Sequence, residues 1–168
     1  MTIVSPGLPP FQRFLDTHRD AVWRFLLSTV GPVEADDCFQ ETFIAALRAY
    51  PRLRADSNLH AWVLTIAHRK SLDAHRARAR RAVSIEDIAA VQDNGVAHRD
   101  APGSPALLDE SLWQAVEELP ARQRSAVVLR YVADLPHRDI AVAIGCSEDA
   151  ARRSLHEGLL KLRKVVSA

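Results

Sequence analysis

Between one proline or glycine and the next, apolar residues in this chain return every three or four positions, and no convincing stretch alternates. That spacing follows the roughly 3.6-residue turn of an α-helix and leaves no room for the period of two that a half-buried strand requires. Phe11, Phe14, Leu15, His18, Val22, Phe25 and Leu26 make one such stripe, ended by "GPV" at 31–33. A second predicted helix starts near Glu34, turns Phe39, Phe43, Ala46, Leu47 and Tyr50 inward, and stops at Pro51, which lacks an amide and restricts its predecessor. A third begins after "ADSN", with Asp56 or Ser57 as N-cap, and carries Leu59, Trp62, Val63 and Ile66 inward. Leu108, Leu112, Val116 and Leu119 define a fourth, ended by Pro120. "ARQRSAVVLRYVADL" makes a fifth, ended by Pro136, and two shorter helices follow.

With 168 residues, 48% of them hydrophobic, the chain has enough apolar material for one domain or two small ones. The break between them falls at 82–107, where Glu86, Asp87, Asp93 and Asp100 accompany Gly95, Pro102, Gly103 and Pro105 and periodicity fades. The expected fold is all-α: a tail over 1–10, a helical domain over 11–81, a flexible acidic linker over 82–107, and a second helical domain over 108–166. Cys38 and Cys146 are far apart and sit in apolar helical patterns, so they are read as core residues of a protein in a reducing compartment. No secretory leader and no apolar run of about 18 residues is visible, which points to a cytoplasmic protein without membrane insertion.

A net charge of +1 does not by itself advertise a nucleic-acid partner, but the charge is unevenly placed. From His68 to Arg81 there are six Lys/Arg against one Asp, and Arg69, Arg76 and Arg80 fall along one side, with His68 and His75 nearby. Such an extension tracks phosphates well, although a solvated helix end is the plainer alternative. On the second helix, Asp37, Gln40, Glu41, Ile44 and Arg48 share the side opposite the core stripe. An isoleucine there marks either a protein-binding surface or an isolated exposed apolar residue.

Near the C-terminus, Pro136 opens a helix, Ala141 allows close approach, Gly145 ends the helix and Ser147 caps the next. The short "GCS" connection gives the sharp angle of a helix-turn-helix. The outer side of its second helix presents Asp149, Arg152, Arg153, His156 and Glu157, either to a major groove or simply to solvent. Seven histidines raise the alternative of a metal site, yet no Cys/His cluster has zinc spacing. No glycine-rich phosphate loop or nucleophile elbow is present either, so no catalytic residue, metal or cofactor is expected.

Together, "EADDCFQETFIAALRAYPRLR", "LHAWVLTIAHRKSLDAHRARARR" and "LPARQRSAVVLRYVADLPHRDIAVAIGCSEDAARRSLHEGLLKLRK" resemble the bacterial RNA polymerase sigma factors, specifically the small extracytoplasmic-function group. The resemblance spans about 11–166. It implies a non-enzymatic promoter-specificity subunit whose partners are core RNA polymerase, promoter DNA and, commonly, an anti-sigma protein. It assigns contacts with the clamp helices of the polymerase's largest subunit to Asp37, Gln40, Glu41 and Ile44, with Arg48 on the same face. It implicates Asp56, Ser57, Asn58, His68, Arg69, Arg76 and Arg80 in melting and reading the minus-ten region, whereas Trp62 is read as core because it lies in register with Leu59 and Ile66. It implicates Arg152, Arg153 and His156, flanked by Asp149 and Glu157, in reading the minus-thirty-five element. The linker, by the same resemblance, enters the polymerase cleft.

The chain departs from the family pattern at several positions. Ala150, Ala151, Arg152, Arg153 and Ser154 stand where Thr-Val-Lys-Ser-Arg is frequent, Glu157 stands where a base is frequent, and Arg69 replaces a frequent Asn. These departures motivate a competing reading, a degenerate sigma-like regulator that does not itself initiate transcription. Acidic side chains accept from cytosine amino groups, so Asp149 or Glu157 is also able to specify rather than repel.

Overall fold

The structure, a computed structural model, describes residues 7–86 and 110–166. The described residues form seven α-helices: α1 (Phe11–Val30), α2 (Pro32–Ala49), α3 (Leu59–Glu86), α4 (Glu110–Glu117), α5 (Ala121–Tyr131), α6 (His137–Ile144) and α7 (Glu148–Val166). A single 3-10 turn, Tyr50–Arg52, follows α2. Gly31, at φ 78°, ends α1, and Pro32 in the first position of α2 costs no hydrogen bond there.

α1, α2 and α3 pack on one another around Phe14, Phe25, Leu26, Phe43 and Leu64. The Phe14 ring meets those of Tyr50 at 5.0 Å, Phe11 at 5.4 Å, Trp62 at 5.7 Å and Phe43 at 6.3 Å between centroids, so this one residue ties all three helices and the 3-10 turn together. Trp62 sits in this cluster, as the sequence reading expected. The second unit packs α4, α5 and α6 against α7 through Val116, Leu129, Ile140, Leu155 and Leu162. Gly158 lets α5 and α7 approach closely, since a Cβ there would lie 2.9 Å from Val127 Cγ2.

The helix-turn-helix is built as expected. Gly145 adopts the left-handed conformation (φ 74°, ψ 46°), the Cys146 amide donates to the Ala141 carbonyl at 3.0 Å, and the Ala150 amide donates to Ser147 Oγ at 3.2 Å. The two units are not apart, however: α3 lies against α6 and α1 against α5.

Several expectations need correction. α3 continues to Glu86, five residues past the expected domain end, while 87–107 of the expected linker lies outside the described residues. Within the expected tail, Leu8 is buried and the Pro9 carbonyl accepts the Tyr50 hydroxyl at 2.8 Å, so these residues belong to the first unit. The N-cap of α3 is Asn58, whose Oδ1 accepts the Ala61 amide at 3.1 Å, while Asp56 is engaged by Arg54 at 3.0 Å. Leu47 is 54% exposed, because it falls at the edge of the apolar stripe of α2.

His68 was expected at the minus-ten DNA but is only 3% exposed, and its ring faces Phe25 at 6.4 Å. It lies one turn after Leu64 on the inner side of α3, so its imidazole fills core rather than meeting solvent. Burial first, then the charges of Arg69 and His75, hold its pKa down at about 4, from an ordinary 6.5.

Two predictions concern stability. Between pH 6.5 and about 4 the unfolded chain binds a proton at His68 that the folded chain refuses, so stability falls as pH drops through that window. At about 1.4 kcal/mol per unit, this amounts to roughly 3 kcal/mol at the lower end. Burial lowers the pKa of His18 and His75 too, which adds in the same direction. The urea midpoint should therefore be lower at pH 5 than at pH 7, and His68→Phe should narrow that difference, leaving the part due to His18 and His75. Gly158→Val should cost about 1 to 3 kcal/mol in a denaturant titration, because the stiff Val127 side chain has no room to yield.

Candidate functional site

The outer face of α2 is set by how the helix uses its inner one. With Ala35, Cys38, Thr42, Phe43 and Ala46 buried, Asp37, Gln40, Glu41, Ile44 and Arg48 all stand exposed on the opposite side. Ile44 is 49% exposed and Leu47, one turn on, 54%, so the apolar feature is a pair rather than a single residue. Leu47 was missed because it sits on the boundary between the two faces, where helical angle alone does not decide. Gln40 Nε2 donates to Asp36 Oδ2 at 3.3 Å and Lys70 reaches Glu41 at 3.2 Å, which orders the polar rim. Cys38 contributes no reactivity. Burial, then the carboxylates of Glu34, Glu41 and Asp37, push its thiol up to about 11.

The loop before α3 and the outer side of α3 form a second surface. Arg54 grips Asp56 with two hydrogen bonds, 3.0 and 3.1 Å, and the Ser57 amide donates to the Arg54 carbonyl at 3.1 Å. Asp56 and Asn58 are exposed and Ser57 half-buried. Farther along, Arg69, Arg76 and Arg80 are all exposed on one side of the helix. Asp73 meets Arg76 at 3.4 Å and Glu34 meets Arg81 at 3.1 Å, while among the described residues neither Arg69 nor Arg80 has a carboxylate partner. This is a row of cations with little internal neutralisation, suited to a polyanion; His68 is absent from it for the reason given above.

The third surface is α7. Ala151, Ser154, Leu155 and Gly158 face inward, and Asp149, Arg152, Arg153, His156 and Glu157 face outward. Position 154 is thus buried, so the serine found there removes nothing from the outer face. Arg152 pairs with Glu148 one turn earlier, and Glu157 accepts a hydrogen bond from Gln123 Nε2 at 2.9 Å. Arg153 and His156 project from the middle of the face. Exposed Arg163 and Lys164 continue the same side ten and eleven residues beyond Arg153, a helical spacing that the sequence already contained.

Among the described residues no group of three or more His, Cys, Asp or Glu is placed to hold a metal ion, and no helix is long and apolar enough to cross a membrane.

Residues 14–81 match the family described as Sigma-70 region 2, and residues 109–162 match Sigma-70, region 4. The chain is 34% identical to the ECF RNA polymerase sigma factor SigD of Mycobacterium tuberculosis over 166 residues, covering 92% of this chain and 76% of that one. It is 29% identical to the RNA polymerase sigma factor CarQ of Myxococcus xanthus, covering 93% and 88%. Among solved structures, the sigma factor RpoE in complex with the anti-sigma factor NepR from Bartonella quintana superposes with a TM-score of 0.78 at 23% identity, covering 94% of this chain and 97% of that one. CnrH in complex with the cytosolic domain of CnrY superposes at 0.68 with 20% identity, covering 94% and 87%. With its helices arranged as in these structures and its sequence related to SigD over almost its full length, the chain belongs to the extracytoplasmic-function group of the sigma-70 family of RNA polymerase sigma factors.

Proposed function

We propose that this chain docks on core polymerase through the outer face of α2, follows the minus-ten region with the loop at 56–58 and the arginines of α3, and reads the minus-thirty-five element with α7. The observation that carries this reading is the exposed Ile44 and Leu47 pair, rimmed by Asp37, Gln40, Glu41 and Arg48, within the stretch that matches region 2. An apolar centre in a polar rim is how protein interfaces concentrate binding energy. Arg69, Arg76 and Arg80 supply sequence-independent attraction by releasing counterions from phosphate, whereas Arg153 is placed to read base edges.

The chain acts as a non-catalytic subunit, in the cytoplasm where its polymerase works, and its two recognition units divide near the segment that follows α3. An anti-sigma protein is a further partner, by analogy with the RpoE of Bartonella quintana, whose solved structure is a complex with one. The inward position of Ser154 favours initiation over the degenerate alternative, since one of the departures that motivated that alternative does not touch the reading face.

Reconstituted transcription tests the proposal: core polymerase with this protein on a genomic fragment library should give discrete starts sharing two spaced upstream elements. Core binding without starts would instead identify the regulator. Ile44→Asp combined with Leu47→Asp should weaken core binding by about 2 kcal/mol or more while leaving the circular dichroism spectrum unchanged. Arg153→Ala should cost about 1 to 3 kcal/mol on the native minus-thirty-five element and little on a variant altered at the base it reads. Equal losses on all sequences would make Arg153 a phosphate contact.

A further inference from the structure

Two imidazoles from different helices meet at the entrance to α3. His60 Nδ1, on α3, lies 3.4 Å from His18 Nδ1, on α1, while the ring centroids are 5.5 Å apart, so each ring turns its Nδ1 edge toward the other. Both side chains are half-buried. His60 Nε2 donates to the Ala133 carbonyl at 2.8 Å. A carbonyl only accepts, so the proton on His60 is at Nε2, and in the neutral ring Nδ1 keeps a free lone pair. Burial, and then the neighbouring His60, lower the pKa of His18, which keeps that ring neutral as well. The contact is thus a single proton, on His18 Nδ1, held between two nitrogen atoms.

The pair is held from both sides. The His18 ring packs on that of Phe14, at 5.0 Å between centroids, in the core of the first unit. His60 follows the cap of α3 by two residues, where Asn58 accepts the Ala61 amide through Oδ1 and donates to Asp139 Oδ2 through Nδ2 at 3.0 Å. The Ala133 carbonyl belongs to a tight connection, in which Asp134 has a left-handed backbone (φ 53°) and the Leu135 amide donates to the Leu129 carbonyl at 2.9 Å. A second ring nitrogen tied to a backbone carbonyl is what fixes the tautomer and direction of metal-ligating imidazoles.

We propose that His18 and His60 bind one exchangeable borderline divalent cation, Zn2+ foremost, through their two Nδ1 atoms. At the usual zinc–imidazole length of about 2.0 to 2.1 Å, an ion bound equally to nitrogens 3.4 Å apart subtends an angle of roughly 110°, which is tetrahedral. The ion takes the place of the shared proton, which moves from Nδ1 to Nε2 of His18 through solvent, and both rings stay neutral. Among the described residues no third His, Cys, Asp or Glu joins the pair, so water completes the coordination and the ion exchanges. Two imidazoles without a carboxylate favour zinc over magnesium or calcium, which take oxygen ligands. Bound there, the ion ties α1 to α3 within the first unit, and the inference needs none of the DNA assignments.

The test is a calorimetric titration of zinc chloride into the full chain, stripped by a chelator and kept reduced. One Zn2+ per chain should bind, with a thermal unfolding midpoint that rises with zinc and does not move with excess magnesium chloride. His18→Gln and His60→Gln should each remove that step. Imidazole nitrogen spectra of the unsubstituted chain give a second reading that no folding defect compromises. Zinc should shift the Nδ1 resonances of His18 and His60 and leave those of the other histidines in place. Absence of a one-to-one step overturns the site. So does a step that survives both substitutions together, or a zinc spectrum in which only other histidines respond, since the ion then binds elsewhere in the chain.

Discussion

The inner side of α3, from Ala61 through Val63, Leu64 and Ala67 to Ser71, is closed on by α1 and α2, and the same helix lies against α6 of the second unit. Each large apolar side chain buried this way contributes about 1.5 to 3 kcal/mol, and Phe14 extends the contact by meeting rings from α2, α3 and the 3-10 turn. Because α3 carries this packing on one side, its other side is free to hold a row of arginines without costing the core anything. The loop that feeds it is anchored by the same geometry, since Asn58 must cap the helix wherever the helix sits.

The same division recurs in α2 and α7. Each commits one side to burial and so presents the other as a rigid, regularly spaced array, which suits recognition better than a loop would. A net charge of +1 hides this arrangement, because Glu34, Glu41 and Asp73 neutralise some cations and leave others unpaired. Screening at physiological salt acts over about 8 Å, so a ligand senses the local row of arginines rather than the average of the chain.

Much of this was legible in order along the chain. Helix positions follow from periodicity and from proline and glycine. The Gly145 turn and the Ser147 cap are local motifs, and the outward sets on α2 and α7 follow from angle around the helix axis. The errors share a cause. His68, Leu47 and Asn58 sit where a helical wheel gives an intermediate answer or where two roles compete, and the outcome depended on which neighbours arrived from elsewhere in the chain. Polar residue type argued for an exposed His68, whereas the space beside Phe25 put it in the core.

Sequence alone therefore determined the all-α class, the boundaries of most helices, the helix-turn-helix and the identity of the outward-facing cations, because each depends on interactions within about one or two turns of the chain. Only the tertiary structure decided that His68 is buried and held neutral, that Leu47 joins Ile44 at the surface, and that Asn58 and His60 meet Asp139 and Ala133. Those contacts join residues 81 and 73 positions apart, and no local rule of propensity, capping or periodicity reaches across such a separation.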